Sequence, residues 1–423
     1  MVEFTHPQFS TLLSRLNEKP RRIIYVFGPR QVGKTTLVKQ TLHNQALPFK
    51  FVSTDEPYSI ENTLNPDFDP TQENRDLYLL DSNIRDGRWL VREWEKARTL
   101  FNKSEKGFIL AIDEIQKIPN WSEIVKGLWD ADRRKNQQFH VILLGSAPLL
   151  MQKGLNESLA GRFETIQLMH WSFSEMLEAF EFDLDQFIYF GGYPEAAYLV
   201  SDQDRWREYI TEAIIEPNIE KDILKLQRVA KPALLKKLFH LGTDYSGQIL
   251  SYNKMLGQLD DAGNTTTLAR YLELLSMAGL ITGLETYSLK PYRIRSSSPK
   301  LNVFNTALIS ASSDYSFSQA KSDRSYWGHL VESAVGAHLL NTRKYNTKLY
   351  YWREKYHEVD FVLKVGPDLI AIEVKSGARK PNLDGLFKFK ERFQPTKSFI
   401  VGEGGIPFSE FFMTPADELL EIE

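Results

Sequence analysis

Two stretches of the chain place charged side chains where only chemistry or close pairing would justify them. The first is Gly28-Pro29-Arg30-Gln31-Val32-Gly33-Lys34-Thr35, followed by Thr36. It satisfies the spacing G-x-x-x-x-G-K-[ST] between a β-branched run and a helix-forming run. The two glycines let the backbone curl until its N–H groups converge on phosphate oxygens, and the positive end of the next helix adds to the field. Lys34 would reach the β- and γ-phosphates of ATP, and the Thr35 hydroxyl would ligate Mg²⁺. The run FILAIDEIQ supplies the partner acids. Asp113 would hold Mg²⁺ directly or through water, and Glu114 would orient and deprotonate the attacking water. A tandem acid points to ATP hydrolysis, with a slow or inactive nucleotide site as the alternative.

The second stretch, EVDFVLKVGPDLIAIEVKSG from Glu358 to Gly377, sets Asp360, Glu373 and Lys375 inside two apolar runs. Charge in buried strands is costly unless it is paired or coordinated. Strand alternation sends Glu373 and Lys375 to one face, and a turn at Gly366-Pro367 makes the two strands antiparallel neighbours. Asp360 can then lie beside Glu373. Two such carboxylates repel unless a cation bridges them, and Mg²⁺ or Mn²⁺ suits oxygen ligands. Lys375 would lower the pKa of an attacking water or neutralise a pentavalent phosphate. Three readings stay open: a metal site that cuts a phosphodiester, a degenerate site used for binding or packing, and plain edge charges.

The elements that must position these residues follow from the pattern. RRIIYVF (21–27), FKFVSTD (49–55), FILAID (108–113) and HVILLGS (140–146) read as buried strands. Helices TTLVKQTLH, RWLVREWEKARTL and one near 121–135 alternate with them, and 57–80 reads as a loop. That alternation implies an α/β layer with a parallel sheet, to which ETIQLMHW adds a last strand. From SFSEMLEAFEF a helical section runs to about Lys231, turning at GGYPEA (191–196). Three short helices follow, with Ser251 and Asn264 as N-caps, and then a hairpin from GLITG and SPKLNVFN, the order of a winged helix-turn-helix. Its third helix carries Arg270 as its one basic residue, so contact with DNA and simple packing both stay open. A Ser-rich stretch, 311–325, reads as a linker. The last module runs helix, strand, strand, strand, helix, strand. The domains are therefore 1–170 (ATPase core), 171–231 (helical lid), 232–310 (winged helix) and 320–423 (α/β domain).

The last module, with D…E-x-K on its second and third strands, resembles the PD-(D/E)xK (restriction-endonuclease-like) nuclease core. The resemblance implies a further acid from the first helix, Glu332 in GHLVESAV, joining Asp360 and Glu373 as metal ligands. Val359 departs from the Pro that often precedes the first acid. The spacing of the acidic pair is similar to that of archaeal Holliday-junction resolvases. From GPRQVGKTT through DEIQKIPNW, SLAGR, GGYPE and YWREKYHEVDFV to IEVKSG, the chain looks like a group of bacterial and archaeal AAA+-like ATPases fused to such a domain. That resemblance implies a polar sensing residue at Ser146, shorter than the usual Asn or Thr. It also implies an arginine finger at Arg162 reaching a neighbouring subunit, hence a homo-oligomer, although an ordinary surface arginine is the alternative. The implied function is an ATP-hydrolysing, Mg-dependent DNA endonuclease acting on branched or junction DNA. The alternative is an ATP-driven switch or assembly protein with a catalytically silent nuclease-like module.

Bulk properties narrow the class. A chain of 423 residues exceeds one compact core. No apolar run reaches the roughly 18 residues of a membrane span, and the N-terminus lacks the features of a signal peptide. The cysteine count is zero, which excludes disulfides and thiolate metal sites. The cytoplasm is the expected location. A net charge of −3 is not that of a dedicated, sequence-independent DNA binder. DNA contact would rest on local patches, namely Arg133-Arg134-Lys135, Lys236-Lys237 and Arg293-Ile294-Arg295, although a solvated face is the favoured reading of each.

Overall fold

The computed structural model describes residues 4–55, 85–104, 106–145, 158–224, 229–260, 263–290, 297–377 and 383–422. They fall into two compact units, Met1–Leu168 and Met169–Glu423. The loop expected over 57–80 lies outside the described residues, as do Ser146 and the Arg293–Arg295 patch.

The first unit is built on β1 (Ile23–Phe27), β2 (Phe49–Ser53), β3 (Ile109–Asp113), β4 (His140–Gly145) and β5 (Phe163–Gln167). Their order is β2-β3-β4-β1-β5, and every neighbouring pair is parallel. Parallel pairing buries both faces of the inner strands, which is why β1, β3 and β4 read as nearly continuous apolar runs; β5, at the edge, is only partly buried. Alternate residues divide between two layers. Ile24 and Val26 pack with Leu12 and Leu16 of α1 (Gln8–Leu16) and with Leu37 and Val38 of α2 (Lys34–His43). Ile23 and Tyr25 pack with Trp89, Leu90 and Trp94 of α3 (Gly87–Lys103) and with Val125 and Trp129 of α4 (Trp121–Arg134). The unit is a three-layer α/β/α sandwich. All strand carboxyl ends share one edge, so the loop after β1 and the acids ending β3 meet there with only β4 between them.

The second unit opens with helices Phe173–Phe180 and Leu184–Phe190, each held by a capping box, Ser172 with Glu175 and Asp183 with Gln186. Two π-helical stretches follow, Tyr209–Ile215 and Asn218–Leu224. Next come α5 (Pro232–Asp244), α6 (Tyr252–Gln258) and α7 (Thr265–Met277), then β6 (Ile281–Leu284) paired antiparallel with β7 (Lys300–Val303). The expected caps form: Ser251 Oγ accepts from the Lys254 N–H at 3.2 Å and Asn264 Oδ1 from the Thr267 N–H at 2.8 Å.

The stretch 311–325 departs from the expected linker. It contains the helix Phe317–Ser322 with its own capping box, Ser316 with Gln319, and Phe317 packs on the rings of Tyr189 and Phe190. One cap and one aromatic anchor order a segment whose composition alone reads as flexible.

The remainder is α8 (Arg324–Thr342), β8 (Thr347–Glu354), β9 (His357–Val365), β10 (Asp368–Lys375), α9 (Asp384–Phe393) and β11 (Lys397–Gly402). These strands form a mixed sheet, β11-β10-β9-β8, antiparallel across β8, β9 and β10 and parallel at β10 and β11. Leu386 and Phe389 of α9 seal one face over Trp352, Val362 and Ala371. No helix among the described residues is long and apolar enough to cross a membrane.

Candidate functional site

Gly33 closes the loop after β1 with φ at 84°, in the left-handed region, and α2 begins at Lys34. A side chain at position 33 would be strained there. The Lys34 ammonium donates to the carbonyls of Gly28 at 3.1 Å and Pro29 at 2.5 Å, so the loop is curled around its own lysine. Thr35 Oγ1 donates to Asp113 Oδ2 at 2.7 Å, and the Glu114 N–H donates to Asp113 Oδ1 at 2.9 Å. Burial raises the Asp113 carboxyl above its ordinary pKa, opposed by the Thr35 hydroxyl. Burial, and then the neighbouring Asp113 charge, raises Glu114 as well.

Glu114 has φ at 54°, left-handed for a non-glycine residue, and its carboxylate accepts from Gln116 Nε2 at 2.5 Å. Uncommon backbone directly after Asp113 is the kind of strain that functional sites keep. A hydroxyl and a buried carboxylate joined beside an ammonium fit a magnesium–triphosphate group, since Mg²⁺ prefers such oxygen donors.

Arg162, expected to reach a neighbouring subunit, pairs instead with Asp130 of α4. Nε lies 2.8 Å from Oδ1 and Nη2 lies 3.0 Å from Oδ2. That bidentate bond holds the Asp130 carboxyl below its usual range. Both side chains stay partly exposed.

In the second unit, the pairing of Ile372 with Phe361 draws Asp360 to the end of β10. Its Oδ2 accepts from the Val374 N–H at 2.8 Å. Lys375 Nζ donates to Glu373 Oε1 at 2.7 Å. Burial, and then the Asp360 charge, pushes the Glu373 carboxyl up to about 7. Asp360, Glu373 and Lys375 are thus brought together.

Glu332 joins them through a residue the sequence did not single out. Lys300, the first residue of β7, is wholly buried. Its ammonium lies 2.7 Å from Glu332 Oε1, 3.5 Å from Asp360 Oδ1 and 4.0 Å from Glu358 Oε1. It also donates to the Asp360 carbonyl at 3.2 Å and lies 4.7 Å from the centroid of the Phe361 ring. Burial would lower the pKa of this ammonium, but Glu332 and Asp360 outweigh it and raise the value above the ordinary one. Strand β7 comes this close to α8 because position 336 is glycine: a Cβ there would fall 2.1 Å from Asn302 Oδ1. Asn302 Nδ2 in turn donates to the Ser333 carbonyl at 3.2 Å.

Lys300 therefore stands among the residues expected to ligate a metal. With Lys300 in place, no three acid or histidine side chains among the described residues are arranged to hold a metal ion, and the cation between Glu332 and Asp360 is that lysine. A signal for Lys300 existed, since Lys300 and Asn302 share one face of an otherwise apolar strand. Nothing in its spacing tied it to Glu332, Glu358 or Asp360.

Of the basic patches, Lys236-Lys237 is paired with acids, whereas Arg133, Arg134 and Lys135 are exposed. Lys236 bonds Glu216 at 2.7 Å and Glu220 at 2.8 Å, and Lys237 bonds Asp260 at 3.1 Å. On α7, Arg270 and Glu273 are both exposed.

Residues 20–177 match the family described as AAA domain. Residues 181–319 and 327–416 match two domains of unknown function, DUF8612 and DUF4143. The first unit is thus an AAA-type P-loop domain with a parallel-sheet core. An uncharacterized protein of Methanocaldococcus jannaschii is 24% identical over 365 residues, which cover 81% of this chain and 72% of that protein. An uncharacterized protein of Mycobacterium tuberculosis is 24% identical over 410 residues, 94% of this chain and 81% of that protein. Among solved structures, a Walker-type ATPase of Pyrococcus abyssi aligns with a TM-score of 0.49 and 16% identity, covering 72% of this chain and 94% of that one. The RuvB Holliday junction branch migration motor of Thermotoga maritima aligns with a TM-score of 0.34 and 17% identity, covering 66% and 90%.

Proposed function

We propose that the protein hydrolyses ATP at its first unit and uses the cycle as a switch or assembly signal for a second unit that binds its partner without cutting it. The observation that carries the ATP reading is the 2.7 Å hydrogen bond joining Thr35 to Asp113, with Glu114 beside it. The N–H groups from Gly28 to Thr36 and the N-terminus of α2 receive the phosphate oxygens. Lys34 exchanges the loop carbonyls for the β- and γ-phosphates. Thr35 and Asp113 are the residues to hold Mg²⁺, which when bound neutralises charge on the triphosphate. Glu114, whose carboxyl is raised above its ordinary pKa by burial and then by the Asp113 charge, accepts the proton of the attacking water. Arg162 leaves Asp130 to stabilise the γ-phosphate of a neighbouring copy, so a homo-oligomer is the working form. Ser146 takes the polar sensing role that the resemblance implies.

For the second unit we take 171–231 as the lid, 232–310 as a winged-helix-like module and 320–423 as a restriction-endonuclease-like module, with branched or duplex DNA as the partner class. The cutting reading has one observation in its favour, the convergence of Asp360, Glu373 and Lys375. It is outweighed by the ammonium of Lys300 among the acids. ATP turnover by the full chain tests the first unit: Lys34→Ala should abolish it, and retained turnover would overturn the nucleotide assignment. Incubation with a four-way junction, duplex and single strand in Mg²⁺ or Mn²⁺ tests the second. Binding without cleavage supports the silent module. Cleavage that disappears in Asp360→Ala and Glu373→Ala variants restores the nuclease.

A further inference from the structure

We infer that the ammonium of Lys300 is a built-in replacement for a divalent cation, and that the cluster of Glu332, Glu358 and Asp360 admits Mg²⁺ or Mn²⁺ only when that side chain is removed. The inference rests on reading the C-terminal module as non-cutting, and it names the reason.

Three observations carry it. The first is geometry. One ammonium stands 2.7, 3.5 and 4.0 Å from oxygens of three carboxylates that come from α8 and β9. Like charges gathered this closely need a cation, and the one present is covalently part of the chain. The second is burial. Lys300 is 0% exposed whereas Glu332 keeps 31% of its side-chain surface, so the cation lies beneath the acids and does not exchange with solvent. Its contacts with Glu332 Oε1, Asp360 Oδ1 and the Asp360 carbonyl match the three donors an ammonium has. It therefore has none left for a scissile phosphate.

The third is the origin of the side chain. Lys300 enters from β7, and the seam it crosses carries further polar contacts. Ser333 Oγ donates to Ser246 Oγ at 2.8 Å, Ser246 Oγ accepts from the Val303 N–H at 3.2 Å, and Asn302 reaches the Ser333 carbonyl. The lysine thus fastens the β6–β7 pair to α8 and to the mixed sheet. A metal ion could neutralise the acids but could not make that connection. A single fixed charge also cannot lower the pKa of a water as a divalent ion does. Lys375, paired with Glu373 and partly exposed, remains without a metal to work beside.

The test is Mn²⁺ binding to the nucleotide-free full chain at pH 8, followed by electron paramagnetic resonance of free Mn²⁺. An Asp113→Asn background removes the metal ligand of the first unit. With Lys300 intact, no stoichiometric Mn²⁺ should bind. Lys300→Ala should create one site per chain, at least about tenfold tighter because the ligand charge is no longer offset. Adding Glu332→Gln should abolish that site. Lys300→Met, which keeps the apolar stem, serves if Lys300→Ala does not fold. The inference is overturned if Mn²⁺ binds with Lys300 present and Asp360→Asn removes it, or if a folded Lys300 variant binds none. The first of these outcomes needs no Lys300 variant. DNA cleavage by the wild-type chain is a separate readout. Cleavage lost in Glu373→Gln but kept in Glu332→Gln defeats the silent-module reading while leaving the metal titration to stand or fall on its own.

Discussion

Thr35 and Asp113 are 78 positions apart in sequence and 2.7 Å apart in space, and the residue after Asp113 is where chemistry and binding should separate. Glu114→Gln keeps the backbone N–H bond to Asp113 and alters only the carboxylate, so it should bind ATP as the wild type does while turnover falls about 10²- to 10⁴-fold. Nucleotide titration beside steady-state turnover checks this, and a proportionate loss of both would make Glu114 a binding residue. Arg162 calls for a different comparison. Its bond to Asp130 is partly exposed, so Arg162→Ala should change stability by less than about 1 kcal/mol. If Arg162 acts on a neighbouring site, turnover should drop about 10³-fold with an unchanged melting temperature. Unchanged turnover would return it to an ordinary surface role. The nucleotide residues were legible because a loop of contiguous residues does most of the work. The acid cluster was legible only in part. Asp360, Glu373 and Lys375 lie on two strands joined by a tight turn, which spacing can register. Lys300 reaches them across a tertiary seam that no local pattern encodes.

Strand β2 and helix α3 are joined in the interior by an ion pair that an apolar reading of the sandwich would not anticipate. Lys50 Nζ lies 2.5 Å from Glu93 Oε2, with the two side chains 2% and 0% exposed, and Lys96 Nζ lies 2.9 Å from Glu93 Oε1. Burial would raise the Glu93 carboxyl, but Lys50 and then Lys96 hold it below its usual range. Removing one partner strands a buried charge, so Lys50→Met should cost about 3–5 kcal/mol. Replacing both, with Lys50→Met and Glu93→Leu, should recover much of that loss. Urea unfolding of the three proteins checks it, and a single variant within about 1 kcal/mol of wild type would show that the pair is not desolvated. At this scale the sequence read well where burial imposes a period, as in the five parallel strands and the capped helices at Ser251 and Asn264. It read poorly where the period is shared. Residues 209–224 look helical by spacing, but spacing cannot tell i→i+4 from i→i+5 hydrogen bonding. Helix α1 shows only two buried leucines, Leu12 and Leu16, one turn apart, a weak signal in so short a segment.

The net charge of −3 says little about the molecule, because the consequential charges are internal and pull stability in opposite directions with pH. Burial pushes the His338 imidazole down to about 4. Its Nε2 lies 2.8 Å from the Thr414 carbonyl, between the rings of Phe411 and Phe412. Above about pH 6.5 it is neutral folded or unfolded and carries no penalty. As pH falls from there toward 4, the unfolded chain takes up a proton that the folded one refuses, so stability drops by about 1.4 kcal/mol per pH unit. Glu373, raised to about 7, has the reverse sign. The folded chain holds its proton below that pH while the unfolded chain does not until about 4.5, so this carboxyl favours folding as pH falls and loses that contribution as pH rises through 7. Between about pH 4.5 and 6.5 the two slopes oppose, and a flat wild-type profile would conceal both. Replacing one group separates them. His338→Leu loses the bond to Thr414, a fixed cost at every pH, and also loses the acid penalty. Relative to wild type it should therefore gain about 2 kcal/mol between pH 6.5 and pH 5. Urea midpoints of the second unit at pH 6.5, 5.75 and 5 measure that difference. Parallel profiles for the two proteins would mean that His338 takes up its proton in the folded state, which contradicts its burial against the two phenylalanines.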